Sequence, residues 1–190
     1  MSPQPPLTDG AEFRLMLAAK DVPTAGTVLK FDADAGTCAA LARRFNILEL
    51  QYLRGTASVR PFRKHGLTLD CHFEAVLAQS CVVTLDPVVQ TIDERFTRRW
   101  LPEHLIEPAV AADGREIEIL VEAEGEDAPE PMTGGAIDIG EAVAEALALA
   151  IDPYPRKPGV AYDVPPDVPD PVAEERPNPF AALEKLKKND

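Results

Sequence analysis

The chain is poor in the residues that build metal, redox and nucleophilic sites. Its 190 residues hold three cysteines and three histidines. Cys38, Cys71 and Cys81 are an odd, widely spaced set, which excludes a disulfide framework and shows no metal-ligand spacing. His65, His72 and His104 are equally scattered, and on a strand Cys71 and His72 would point to opposite faces. No cysteine has a neighbouring base to make it a nucleophile. Gly134-Gly135 precedes a helical pattern but lacks the Walker lysine and the dinucleotide spacing. These absences predict a protein that is not an enzyme and uses no cofactor or metal. No run of about 18 apolar residues is present, so no membrane span is expected. The start, MSPQPPLTDG, lacks the basic and apolar regions of a secretory signal, which makes the cytoplasm the default location.

Basic charge is also scarce: 19 basic residues stand against 32 acidic ones, a net charge of −13. Such a chain does not adhere indiscriminately to nucleic acid or anionic membrane. The charge is unevenly placed, however. Residues 43–64 hold Arg43, Arg44, Arg54, Arg60, Arg63 and Lys64 against the single acid Glu49, whereas residues 116–130 hold seven acids and no base.

An apolar content of 45% supports a packed core. Residues 1–11 read as a polar leader, and 12–152 as one domain. Phe13, Leu15 and Leu17 alternate with polar neighbours, which predicts a first strand, and 27–31 a second. Asp32 or Asp34 should cap a helix to about Phe45, with Cys38, Leu41, Ala42 and Phe45 on one side. Residues 47–59 predict a strand with Gly55 marking a bulge. A basic turn, RPFRKHG, leads into a cleanly alternating strand with Leu67, Leu69, Cys71, Phe73, Ala75 and Leu77 on one face. Residues 81–85 and 88–100 are β-prone on either side of Asp86-Pro87, an edge strand or a β-turn-β pair. Ile117, Ile119 and Val121 suggest one more strand. The strongest helix signal covers 138–151, where Asp138 and Glu141 have the spacing of a capping box and Asp152-Pro153 forms a stop. The fold class is therefore α+β, a mostly antiparallel sheet packed by two main helices.

Residues 153–177 are rich in proline and acids and read as an extended linker. They end in RPNPFAALEKLKK, a tail helix over 178–189 with Asn178 as N-cap and Pro179 in the first turn. Phe180, Leu183 and Leu186 share one face, with Lys187 beside it. So short a helix needs a surface to dock against.

Three stretches carry a family resemblance: the Cys81 region leading into VVQTIDERFTRRW, the helix GGAIDIGEAVAEALALAIDPYP, and the closing RPNPFAALEKLKK. Together they resemble the YceD family of large ribosomal RNA subunit accumulation proteins, over roughly 12–188 and most specifically in the last third. The resemblance implies a cytoplasmic, bacterial factor for the level or processing of 23S ribosomal RNA, with no catalytic residues to carry over. Many members have a second cysteine three residues after the position of Cys81 and further cysteines after the long helix. Here Thr84 and DPYPRKPG stand in those places, so any metal or redox role of those cysteines is missing from this chain.

Two readings follow. In the first, the chain binds large-subunit rRNA or its precursor during assembly of the large subunit, through Arg43, Arg44, Arg54, Arg60, Arg63, Lys64, Arg95, Arg98 and Arg99. In the second, it is a protein adaptor that meets ribosomal proteins or processing factors through the tail residues Phe180, Leu183, Leu186 and Lys187 and the acidic loop at 122–135, without touching RNA.

Overall fold

The computed structural model describes residues 12–106 and 128–160. In those residues the α+β class, the mostly antiparallel sheet and the two helices are all present. The predicted strand at 117–121, the acidic residues up to 127, and the linker and tail beyond 160 lie outside the described residues.

The frame is a five-stranded sheet in the order β2 (Thr27–Asp32), β3 (Glu49–Phe62), β4 (Gly66–Ser80), β5 (Pro87–Pro102) and β6 (Glu130–Met132). The first four strands form an antiparallel meander, and β6 adds in parallel at Trp100–Pro102. The alternation of β4 is what its sequence requires of a half-buried strand. Leu67, Leu69, Cys71, Phe73, Ala75 and Leu77 are buried, while Thr68, Asp70, His72, Glu74 and Val76 are half-buried on the other face. Register carries the same parity to the neighbours: Leu53, Ala57 and Val59 of β3 lie opposite Ala75, Cys71 and Leu69.

Two helices and a small ribbon cover the apolar face. Helix α1 (Ala35–Arg44) starts at Asp34, whose carboxylate accepts the Thr37 N–H at 2.7 Å. That bond holds the Asp34 carboxyl below its ordinary value. The helix ends where Asn46 turns left-handed at φ 52°. It buries Cys38, Leu41 and Ala42 in the common core, as its spacing predicts. The ribbon pairs β1 (Met16–Ala18) with β7 (Ala136–Asp138), and α2 (Ile139–Ala150) follows directly. Ile139, Val143 and Leu147 are fully buried against the sheet, each worth about 1.5–3 kcal/mol of burial.

Several sequence expectations are corrected here. The first strand is shorter than the alternation from Phe13 suggests, because the backbone before it is committed to α2. Leu15 N–H bonds to Asp138 Oδ1 at 3.0 Å, and Leu15 O accepts the Ile139 N–H at 3.0 Å. Asp138 caps α2 through the Glu141 N–H, but Glu141 does not reach back to close a capping box. Its carboxylate pairs with Arg44 of α1, one contact at 2.8 Å. The irregularity in β3 lies between Leu50 and Tyr52, not at Gly55. Gly55 instead gives clearance: a Cβ there would lie 2.6 Å from Phe31 Cζ, 2.9 Å from Phe73 Cβ, and closer still to the His72 carbonyl. Residues 88–100 belong to one continuous strand. Residues 81–85 form a turn rather than a strand, closed by Leu85 N–H to Cys81 O at 3.0 Å with Leu85 at φ 63°.

Candidate nucleic-acid interface

The face of the meander opposite the helices carries the even-register residues, and none of them is buried except Gly66 and Leu101 at one end and Ala78 at the other. Cross-strand pairing arranges them in rows. At the hairpin end, Arg60, Thr68 and Arg99 stand side by side, with Phe62 one step beyond. Next come Ser58, Asp70 and Thr97; then Lys30, Thr56, His72 and Arg95; then Asp32, Arg54, Glu74 and Asp93. The far end is apolar, with Val76 and the exposed Val89. The face therefore runs from basic through mixed to apolar along the strands.

Most of the charges in the middle rows are already paired. Arg54 meets Glu74 at 2.8 Å, Arg60 meets Asp70, and His72 Nε2 lies 2.7 Å from Asp93 Oδ1. The Arg60 guanidinium and the Thr97 hydroxyl outweigh the partial burial of Asp70 and hold its carboxyl below the ordinary range. Two shallow grooves of about 400 and 540 Å³ flank His72 and share Thr56 with it.

The hairpin end is built differently. The Phe62 ring is flanked by two guanidinium groups, Arg63 at 5.2 Å and Arg99 at 5.6 Å from its centroid. Arg63 adopts a left-handed backbone, φ 51°, to close the turn after β3. Arg63 and Lys64 make no ion pair with any described residue. A second ring is set on the same face by the same parity: Tyr52, with the Arg54 guanidinium 4.8 Å from its centroid. Guanidinium over a ring is a favourable cation–π arrangement, and both rings and guanidiniums are planar groups of the kind on which bases stack.

The nine basic residues singled out from the sequence thus separate. Arg54, Arg60, Arg95 and Arg99 share the open face, with Arg63 and Lys64 at its end. Arg44 and Arg98 lie on the helix side, where they tie the structure together. Arg44 bridges Glu141 and Glu12, and Arg98 bridges Glu145 of α2 and Glu130 of β6. The Glu141 hydrogen bonds raise the Arg44 pKa and lower that of Glu141. Arg43 is exposed on α1, away from the open face. Sequence reasoning missed Lys30 and Tyr52; the signal for both was strand parity once register is known. The tail residues Phe180, Leu183, Leu186 and Lys187 lie outside the described residues.

The cysteines are free and buried. Burial pushes the Cys71 thiol up to about 12. Cys81 is the exception: hydrogen bonds from Thr84 and from the Lys157 N–H, the latter at 3.4 Å, hold it down at about 6. The same turn receives the segment after α2. Val82 N–H bonds to Pro155 O at 2.9 Å, and Lys157 Nζ meets Asp86 at 3.0 Å. Among the described residues no group of three His, Cys, Asp or Glu side chains is placed to hold a metal ion, and no helix is long and apolar enough to cross a membrane.

Fold and face together define an α+β protein whose meander is covered on one side by helices and open on the other as a polar, ring-bearing platform. Residues 69–187, more than half of the chain, match the model of the family described as large ribosomal RNA subunit accumulation protein YceD, and the chain belongs to that family. Membership implies involvement in the accumulation of large-subunit ribosomal RNA. No curated protein and no solved structure matches the chain. The open-face residues of β4 from Asp70 onward and those of β5, Arg99 included, fall inside the matched range; Gly66, Thr68, the turn residues Arg63 and Lys64, and the open-face residues of β2 and β3 precede it.

Proposed function

We propose that this chain is a non-enzymatic, cytoplasmic factor that supports accumulation of large-subunit ribosomal RNA by contacting that RNA, or its precursor, through the hairpin end of the open sheet face. The observation that carries the reading is the hairpin end, where the Arg63 and Arg99 guanidiniums lie over the Phe62 ring and Lys64 follows in the turn. Arg63 and Lys64 make no ion pair with any described residue and are available to phosphate at once, whereas Arg54 and Arg60 must first give up Glu74 and Asp70. The family's tie to ribosomal RNA supplies the class of ligand. The charge distribution agrees: residues 12–106 hold twelve basic and eleven acidic side chains, so most of the net −13 resides in other parts of the sequence. A non-enzymatic role is supported by the setting of the pair closest to a catalytic dyad. His72 and Asp93 are 39% and 66% exposed and stand open to solvent rather than in an enclosed cleft.

Crosslinking in cells followed by sequencing of the bound RNA tests this. The expected result is recovery of large-subunit rRNA or its precursor, reduced about tenfold or more in an Arg63→Gln, Lys64→Gln double variant. Recovery of ribosomal proteins with no rRNA would sink the reading and favour an adaptor.

A further inference from the structure

We infer that the open face takes an unpaired RNA strand rather than a duplex, holding its phosphates at the hairpin end and its bases over the middle rows. The inference rests on the RNA-binding reading above and deepens it. A duplex shows a protein mainly phosphates and 2′-hydroxyls, and is held by many cations. This face cannot offer them. Its rows hold five cations, Lys30, Arg54, Arg60, Arg95 and Arg99, against the four carboxylates Asp32, Asp70, Glu74 and Asp93, and the further cations Arg63 and Lys64 are confined to the hairpin end. The acids sit in the middle rows, where a duplex backbone laid along the sheet would have to pass close to them.

The same carboxylates suit a splayed strand. Exposed bases carry amino and imino N–H groups that a carboxylate accepts; in a duplex the imino N–H is consumed by pairing and the narrow major groove keeps the spare amino N–H out of reach. Thr56, Ser58 and Thr97 add hydroxyls that donate or accept. Stacking platforms stand toward either end of β3: Phe62 flanked by guanidiniums, and Tyr52 under Arg54. They are ten residues apart on one strand, hence about 33 Å. A face of this kind gains its energy from stacking and base-edge hydrogen bonds, with few phosphate contacts.

The test uses the full-length chain and fluorescence anisotropy. A labelled 12-nucleotide RNA of mixed sequence is titrated as a single strand and as its perfect duplex, across a series of potassium chloride concentrations. The single strand should bind at least tenfold more tightly. Its log K against log salt should fall with a slope of about −2 to −3, as for three or four phosphate contacts. Phe62→Ala should weaken single-strand binding about fivefold or more, and Phe62→Trp, which keeps a stacking ring, should restore it. The Trp variant separates loss of a platform from loss of fold. Equal or tighter duplex binding, a slope steeper than about −5, or failure of Phe62→Trp to restore binding would overturn the inference while leaving RNA binding itself intact. Binding of neither RNA would remove the reading beneath it.

Discussion

Replacing Gly55 with alanine adds one methyl group at a crowded glycine in the interior of β3. The new Cβ would lie 2.6 Å from Phe31 Cζ and 2.9 Å from Phe73 Cβ, with the His72 carbonyl closer than either. The carbonyl belongs to β4, the middle strand of the five-stranded sheet, and cannot move without disturbing its ladder. The Phe31 ring is only 8% exposed and packs on Phe13 at 5.7 Å, so it has little room to turn away. Overpacking of this kind costs about 1–3 kcal/mol, and immovable neighbours on both sides place it at the upper end. Alanine recovers about 0.5–1 kcal/mol by restricting the unfolded chain. The net loss is about 2 kcal/mol, or roughly 4–8 °C in Tm for a chain of this size. The assay is thermal and urea unfolding of both proteins, with Gly135→Ala as reference. Gly135 has φ 72° and no atom within 4 Å of an added Cβ, so it carries only the left-handed backbone cost, about 1–2 kcal/mol. Because Phe31 and Phe73 would be displaced beneath His72, Gly55→Ala should also weaken RNA binding, which Gly135→Ala should not. A Gly55→Ala protein with wild-type Tm and an unchanged urea slope would refute the packing argument.

Three other perturbations follow from named contacts. Asp138→Ala removes acceptors for the N–H groups of Glu141 and Leu15 and for Arg14 Nε, so it should cost about 2 kcal/mol, the top of the N-cap range; a loss under about 0.5 kcal/mol by urea unfolding would show that the Leu15 bond contributes nothing. Glu141→Gln should lower stability by about 1 kcal/mol, discounted because both partners of the Arg44 pair are about one-third exposed. Its carboxyl lies below its ordinary 4.5 in the fold, so this contribution is present above that pH and is lost as pH falls through the folded value; a wild-type-minus-variant difference that persists at pH 2 would contradict the sign. Cys81 ionises near 6 in the fold against an ordinary 9.0, so the stability of wild type relative to Cys81→Ser should rise between pH 6 and 9 and level off above. Urea midpoints whose difference is the same at pH 6, 7.5 and 9 would rule that out.

What the sequence made legible was local. The alternation from Leu67 to Leu77, the Asp34 and Asp138 caps, and the spacing of Cys38, Leu41 and Ala42 each follow from neighbours within a few residues. The misreadings turn on distant partners. Gly55 reads as a bulge until Phe31 and Phe73 are known to crowd it. Residues 81–85 are β-prone by composition, yet Asp86 O and Pro155 O accept the N–H groups of Cys81 and Val82 and fix a turn. Arg44 and Arg98 look like further members of a basic patch, but their carboxylates come from α2, and no charge count along the chain places Glu141 or Glu145 near them. The basic hairpin was legible as a cluster. Which side of the sheet each arginine faces became readable only with register.

The pairing of β1 with β7 has a consequence for the order in which the molecule assembles. Strands β2 to β5 are joined to their sequence neighbours and can zip together as they appear, with short loops to close. Met16 has no strand partner until Asp138 exists, and Leu15 waits for the same residue. On a ribosome the N-terminal segment therefore emerges first and is secured last. Refolding kinetics should show this: Ile137→Ala, at a site 2% exposed, is expected to accelerate unfolding with a φ-value near zero, and a value near one would reverse the order.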